Sequence, residues 1–178
     1  PGTPPQYCAS GCLNTVSVFE VTTAGGIQTA INNAVATGNG AVVHIQAAAG
    51  FYFLPAKLTI PGNTFIQIIG DGYNTKLVAP GGVPAIECGT ACKARLRDFE
   101  IFGNSNAGYG IKITGADQAG GRVFVEQPYL NSNVTNHLLV NGLTQGNAEL
   151  RNVASMAAIG NGDAIKVVGP AVPSTGYT

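Results

Sequence analysis

Apolar residues fall at every second position in short runs along most of this chain, with turn residues between the runs. Val16-Ser17-Val18-Phe19-Glu20-Val21, Val42-Val43-His44-Ile45, Phe51-Tyr52-Phe53, Leu58-Thr59-Ile60, Phe65-Ile66-Gln67-Ile68-Ile69 and Lys76-Leu77-Val78 each read as a short strand. One segment has a different period. Ile27, Ala30, Ile31, Ala34 and Val35 recur at helical spacing and Gly38 supplies a left-handed stop, which predicts one amphipathic helix over about residues 26–37. Residues 1–15 hold three prolines and two glycines without any period and read as an extended arm, and residues 169–178 read as a tail.

The later strands repeat. Arg95-Leu96-Arg97-Asp98-Phe99, Arg122-Val123-Phe124-Val125-Glu126 and Glu149-Leu150-Arg151-Asn152-Val153 start 27 residues apart. A second column, with Ile111, Leu138 and Ile165 in equivalent places, keeps the same interval of 27. A fixed period carrying two or more short strands per unit predicts an all-β solenoid over residues 16–168, in which each 27-residue coil stacks its strands on those of the coil before. On this alignment Leu96, Val123 and Leu150 form one inward ladder, and Ile111, Leu138 and Ile165 another. An antiparallel sandwich is the competing fold, but its loops have no reason to hold a constant period.

The opening of the chain carries a resemblance. Ile27-Gln28-Thr29-Ala30-Ile31-Asn32, Ala41-Val42-Val43-His44-Ile45, Gly50-Phe51-Tyr52, Leu58-Thr59-Ile60, Ile69-Gly70-Asp71-Gly72 and Thr75-Lys76-Leu77 resemble the first coils of the pectate-lyase-like right-handed parallel β-helices. That group includes polysaccharide lyases, glycoside hydrolases and phage tailspikes. The resemblance covers about residues 25–168 and implies a right-handed β-helix with one N-terminal capping α-helix. It is a guide to fold more than to activity, because these motifs belong to the whole group.

Composition narrows the function. Only 10% of the 178 residues are charged, nine cations balance nine anions, and 25 glycines are present. There is no basic face for a phosphate backbone, so no nucleic-acid partner is expected. No apolar run approaches the roughly 20 residues of a membrane span, and no leader pattern stands at the N-terminus. Cys8 and Cys12, and Cys88 and Cys92, form two C-x3-C pairs in small-residue loops. An even count in such loops favours disulfides, paired locally, and export to an oxidising compartment or a cell or virion surface. Free thiols and zinc remain open, although the spacing is wider than the common zinc pattern and no histidine lies beside either pair.

Candidate chemistry is sparse. Glycoside hydrolysis requires two carboxylates facing one cleft. Asp98 and Glu100 are the nearest such pair, with Glu126 one coil on, but Asp98 and Asn152 share a register that marks a turn. Asp71 sits in a Gly-Asp-Gly turn. Asp71, Glu87, Asp117 and Asp163 are too dispersed for a calcium site. The polygalacturonase-like members of the resembled group carry clustered aspartates, a Gly-His-Gly and an Arg-x-Lys, none of which occurs here, and neither His44 nor His137 has such a setting. No catalytic residue, metal or cofactor is assigned. In the 27-residue register Arg97, Phe124 and Arg151 stack outward, with Glu100 and Gln127 three positions on. A ring flanked by guanidinium groups, with amide and carboxylate neighbours, is a candidate polysaccharide-binding surface. Asn133-Val134-Thr135 fits a glycosylation acceptor.

These features lead to an extracellular, non-catalytic structural subunit of a fibre, virion or surface appendage. A polysaccharide-binding or polysaccharide-degrading module is the alternative. Head-to-tail assembly is expected, because the N-terminal end has its helix, residues 169–178 show neither a helical period nor a charge block, and Val16 to Val21 can add as a strand to a neighbour.

Overall fold

The computed structural model describes residues 16–38, 40–103, 108–114, 121–131, 136–143, 146–156 and 164–169. The arm over residues 1–15 with Cys8 and Cys12, the residues Asp117, Asn133 and Asp163, and the tail beyond residue 169 lie outside them.

Among the described residues one α-helix stands against sixteen strands. In chain order they are Val18–Val21 (β1), Ala24–Thr37 (α1), Ala41–Ile45 (β2), Tyr52–Phe53 (β3), Leu58–Ile60 (β4), Phe65–Gly70 (β5), Lys76–Val78 (β6), Ile86–Cys88 (β7) and Lys93–Arg97 (β8). Glu100–Phe102 (β9), Tyr109–Ile113 (β10), Arg122–Glu126 (β11), Tyr129–Asn131 (β12), Asn136–Asn141 (β13), Asn147–Arg151 (β14), Ala154–Met156 (β15) and Ile165–Val168 (β16) follow. They form three sheets, ordered β1-β2-β5-β8-β11-β14, β3-β6-β9-β12-β15 and β4-β7-β10-β13-β16. Every pairing between them is parallel. From β3 onward the chain visits the second, third and first sheets in rotation, and each strand pairs with the one made a circuit earlier.

The alternating pattern decides which side chains meet inside. Val43, Ile68, Leu96 and Val125 stack in the first sheet, Leu77, Ile101 and Leu130 in the second, and Ile86, Ile111 and Leu138 in the third, all at 0% exposure. Each buried aliphatic side chain contributes roughly 1.5–3 kcal/mol of transfer free energy. Helix α1 turns Ile27, Ala30, Ile31 and Ala34 onto this core and packs against β1, β2, β4 and β5. It begins two residues before the expected start, and Gly38 ends it at φ 118° with its N–H on the Ala34 carbonyl. The side-chain amide of Gln28 both donates to the Thr59 carbonyl and accepts from the Thr59 N–H, each at 2.9 Å, so α1 closes the outer edge of β4.

The structure corrects the 27-residue register. It holds in the third sheet, where Ile111, Leu138 and Ile165 are partners. In the first sheet Leu96 stands opposite Val125, not Val123, and Val125 stands opposite Leu150. The circuits there are 29 and 25 residues long. Val123 instead lies between Ala94 and Ala148. Leu150 is only partly buried and Ile165 is 41% exposed, because β14 and β16 each have a neighbour on one side only among the described residues. Connections at the corners absorb the difference in length. Val123 and Val125 both point inward, so a two-residue slip leaves the inside-outside pattern unchanged.

Candidate functional site

The corrected register separates the residues proposed as a sugar-binding column. Arg97, Glu126 and Arg151 now stack on the outer face of the first sheet, and Phe124 stands one step along between Arg95 and Glu149. Glu100 lies on β9 in the second sheet at 3% exposure, where Asn131 Nδ2 donates to its Oε1 at 3.5 Å. Gln127 sits in the corner between these sheets at φ 52°, in the same place as Asp98 at φ 59° and Asn152 at φ 50°. The turn reading of Asp98 and Asn152 therefore extends to Gln127, whose conformation is set by the corner.

The outer faces carry charge in alternating ladders that cross from strand to strand. In the first sheet Glu126 lies 3.3 Å from Arg95 and 3.8 Å from Arg151, one strand to either side. Arg151 also pairs with Glu149, Arg97 pairs with Asp98 at 2.6 Å, and the Arg95 guanidinium lies 5.4 Å from the centre of the Phe124 ring. In the third sheet Lys57 hydrogen-bonds Glu87 from one side, and Lys112 approaches the other carboxylate oxygen at 3.4 Å. The hydrogen bond from Lys57 holds the Glu87 carboxyl below its ordinary range, with Lys112 adding to the effect.

A third ladder, not anticipated from the sequence, joins the first three strands of the first sheet. His44 on β2 places Nδ1 2.7 Å from Glu20 Oε2 on β1 and Nε2 2.9 Å from Asp71 Oδ1 just after β5. Gln46 donates to the same Glu20 oxygen at 3.0 Å, and the Ala47 N–H donates to Asp71 Oδ2 at 2.7 Å. The only sequence signal was that His44 occupies an outward position in an alternating strand. Partial burial pulls the imidazole pKa down, but hydrogen bonds and charges from Asp71 and Glu20 outweigh it, so the net shift is upward from 6.5. Asp71 is held below 3.8, first by its hydrogen bond to His44 and then by the Ala47 N–H.

The pH dependence follows from these directions. The raised histidine contributes stability that is complete below about pH 6.5 and lost as pH rises through its higher folded value. The lowered Asp71 contributes above about pH 3.8 and loses its effect as pH falls through its lower folded value. The clasp is thus strongest between those limits. Glu20 and Asp71 are 50% and 42% exposed, so solvent screening limits it to a few tenths to about 1 kcal/mol. Urea midpoints should fall from pH 5.5 to pH 8.5 in the wild type by more than in His44→Gln. Equal falls would remove the clasp.

Cys88 and Cys92 are both fully buried and stand as free thiols, where a disulfide was expected. The Cys88 thiol is hydrogen-bonded to Cys92, and that bond together with burial pushes its pKa well above the usual thiol value. His137 is fully buried on β13, and burial lowers its pKa. The described residues contain no cluster of three or more His, Cys, Asp or Glu side chains able to hold a metal ion. They also contain no helix long and apolar enough to cross a membrane.

Comparison with protein-family models, with curated proteins and with solved structures finds no match for this chain.

Proposed function

We propose that the three parallel sheets wind as a right-handed β-helix and that the chain is an exported, non-catalytic structural subunit. The handedness follows from the general rule that parallel strands of one sheet are joined right-handedly in about 98% of cases. The observation that carries the structural reading is the set of alternating charge ladders. Glu126 between Arg95 and Arg151, Glu87 between Lys57 and Lys112, and His44 between Glu20 and Asp71 each link three successive circuits. A hydrolytic acid or base requires a carboxylate open to substrate, whereas Glu126 and Glu87, each with under a fifth of its side chain exposed, are held between two cations of neighbouring circuits.

Self-association uses the outer edge of β1. Gln28 covers the equivalent edge of β4, while β1 is the outermost described strand of its sheet and borders a cavity of about 510 Å³ against α1. Val18, 52% exposed, stands on that strand. An added strand would extend the first sheet there by main-chain hydrogen bonds.

A screen for new reducing ends and unsaturated uronides on acidic and neutral polysaccharides should detect no turnover by the purified chain. Light scattering should show a mass that rises above one chain with concentration and returns to one chain in Val18→Lys, which puts a charge on β1. Turnover on any polysaccharide, or a single-chain mass at every concentration, would overturn the corresponding part of the reading.

A further inference from the structure

The two outermost described strands of the first sheet, β1 and β14, are in line with one another. Strand by strand the pairing carries Phe19 through Val43, Ile68, Leu96 and Val125 to Leu150, an inward column, and carries Glu20 through His44, Ile69, Arg97 and Glu126 to Arg151, an outward one. The inward column is fully buried along its middle and only partly buried at Phe19 and Leu150. The outward column ends in an acid at β1 and in a base at β14. Charge divides the whole sheet in the same way. β8, β11 and β14 carry Lys93, Arg95, Arg97, Arg122 and Arg151 against Glu126 and Glu149, whereas β1, β2 and β5 hold no Lys or Arg and carry Glu20, with Asp71 directly after β5.

We infer that the β1 end of one copy docks on the β14 end of a second copy of this chain, in the register that sets Glu20 opposite Arg151 and Phe19 opposite Leu150. The inference rests on the self-association assigned above to β1, and adds the partner strand, its direction and its register. Every pairing in the sheet is parallel, so a copy displaced along the stack presents β1 parallel to β14 at the usual strand spacing of about 4.8 Å. Side-chain alternation confines the register to steps of two residues. A step one way opposes Glu20 with Glu149, and a step the other way opposes Arg151 with Val18, so only the in-line register pairs opposite charges. Glu20 and Arg151 are 50% and 60% exposed, and both can reach a neighbour. Arg151, 3.8 Å from Glu126 of its own chain, would then stand between two carboxylates. Helix α1 lies against β4 and has no charged residue among its 14. The same placement therefore sets α1 over β16, where Ile165 and Val167 are 41% and 70% exposed, without burying a charge of the helix. A contact between unlike ends repeats from copy to copy.

The test is the light-scattering mass of the full chain across concentration. Glu20→Arg and Arg151→Glu each set like charges at the junction and should weaken the wild-type association by about tenfold. An equimolar mixture of the two should recover it, because the altered end of each copy then faces the altered end of the other. Val18→Lys adds a cation facing the arginine-rich end and should act in the same direction as Glu20→Arg. Thermal melts establish that each variant is folded. Glu20→Gln and Arg151→Gln, each expected to weaken association by about threefold, replace a reversal that does not fold. Wild-type association in both folded reversals, or a mixture no better than its parts, overturns the inference while leaving self-association in place. A single-chain mass for the wild type at every concentration overturns both.

Discussion

Leu96→Ala will lower the unfolding free energy by about 2–5 kcal/mol. Leu96 is fully buried on β8, between Ile68 of the preceding strand and Val125 of the following one. Backbone hydrogen bonds fix the spacing of those strands at about 4.8 Å, so the cavity left by the lost methyl groups cannot close by moving either neighbour. The same truncation at Val167, which is 70% exposed on β16, should stay within about 0.5 kcal/mol. Urea denaturation of both variants checks the pair. A loss below about 1 kcal/mol for Leu96→Ala would mean that the stacked ladder does not carry the stability.

Gly62→Ala will be as damaging, for a different reason. Gly62 follows β4, and a Cβ placed there would lie 1.9 Å from the carbonyl oxygen of Thr90 and 3.2 Å from Cβ of Ala91. The obstacle is backbone of the next circuit, held by the hydrogen bond from the Asn63 N–H to the Ala91 carbonyl at 2.9 Å. Rotamer changes cannot relieve such a contact, and the two corners would have to separate. A loss of at least about 3 kcal/mol, or failure to fold, is expected. Gly50→Ala is the control, since nothing lies within 4 Å of its added Cβ, and it should be close to neutral. A Gly62→Ala protein with wild-type stability would show that adjacent corners are not packed in this way.

The imidazole clasp and the cluster of exposed aromatic rings differ in how far they could be foreseen. His44 stood at an outward position of an alternating strand, and that much was local. Its two partners come from β1 and from the turn after β5, and only stacking brings them to either side of one imidazole ring. Phe51 and Phe53 were likewise legible as the outward pair around an inward Tyr52, but their association with Phe102, Tyr73 and Tyr129 depends on which strands are neighbours. The column of Arg97, Phe124 and Arg151 failed as a column because Phe124 and Glu126 point the same way and differ by two residues.

What the sequence determined by itself is what local physics controls. Alternation set which side of each strand faces inward, as at Leu96, Val123, Ile111 and Leu138, all at 0% exposure. Helical spacing set the buried face of α1, Gly38 set its end, and Asp98 and Asn152 marked a turn, which the structure places at positive φ. The tertiary structure decided the register. Corner connections lie outside the core and change length at little energetic cost, so circuits of 25 and 29 residues stack as well as one of 27. A slip of two residues keeps every side chain on its own face and is therefore invisible to periodicity. It does change which outward groups touch, and the charge ladders, the imidazole clasp and the aromatic surface all arise from those contacts.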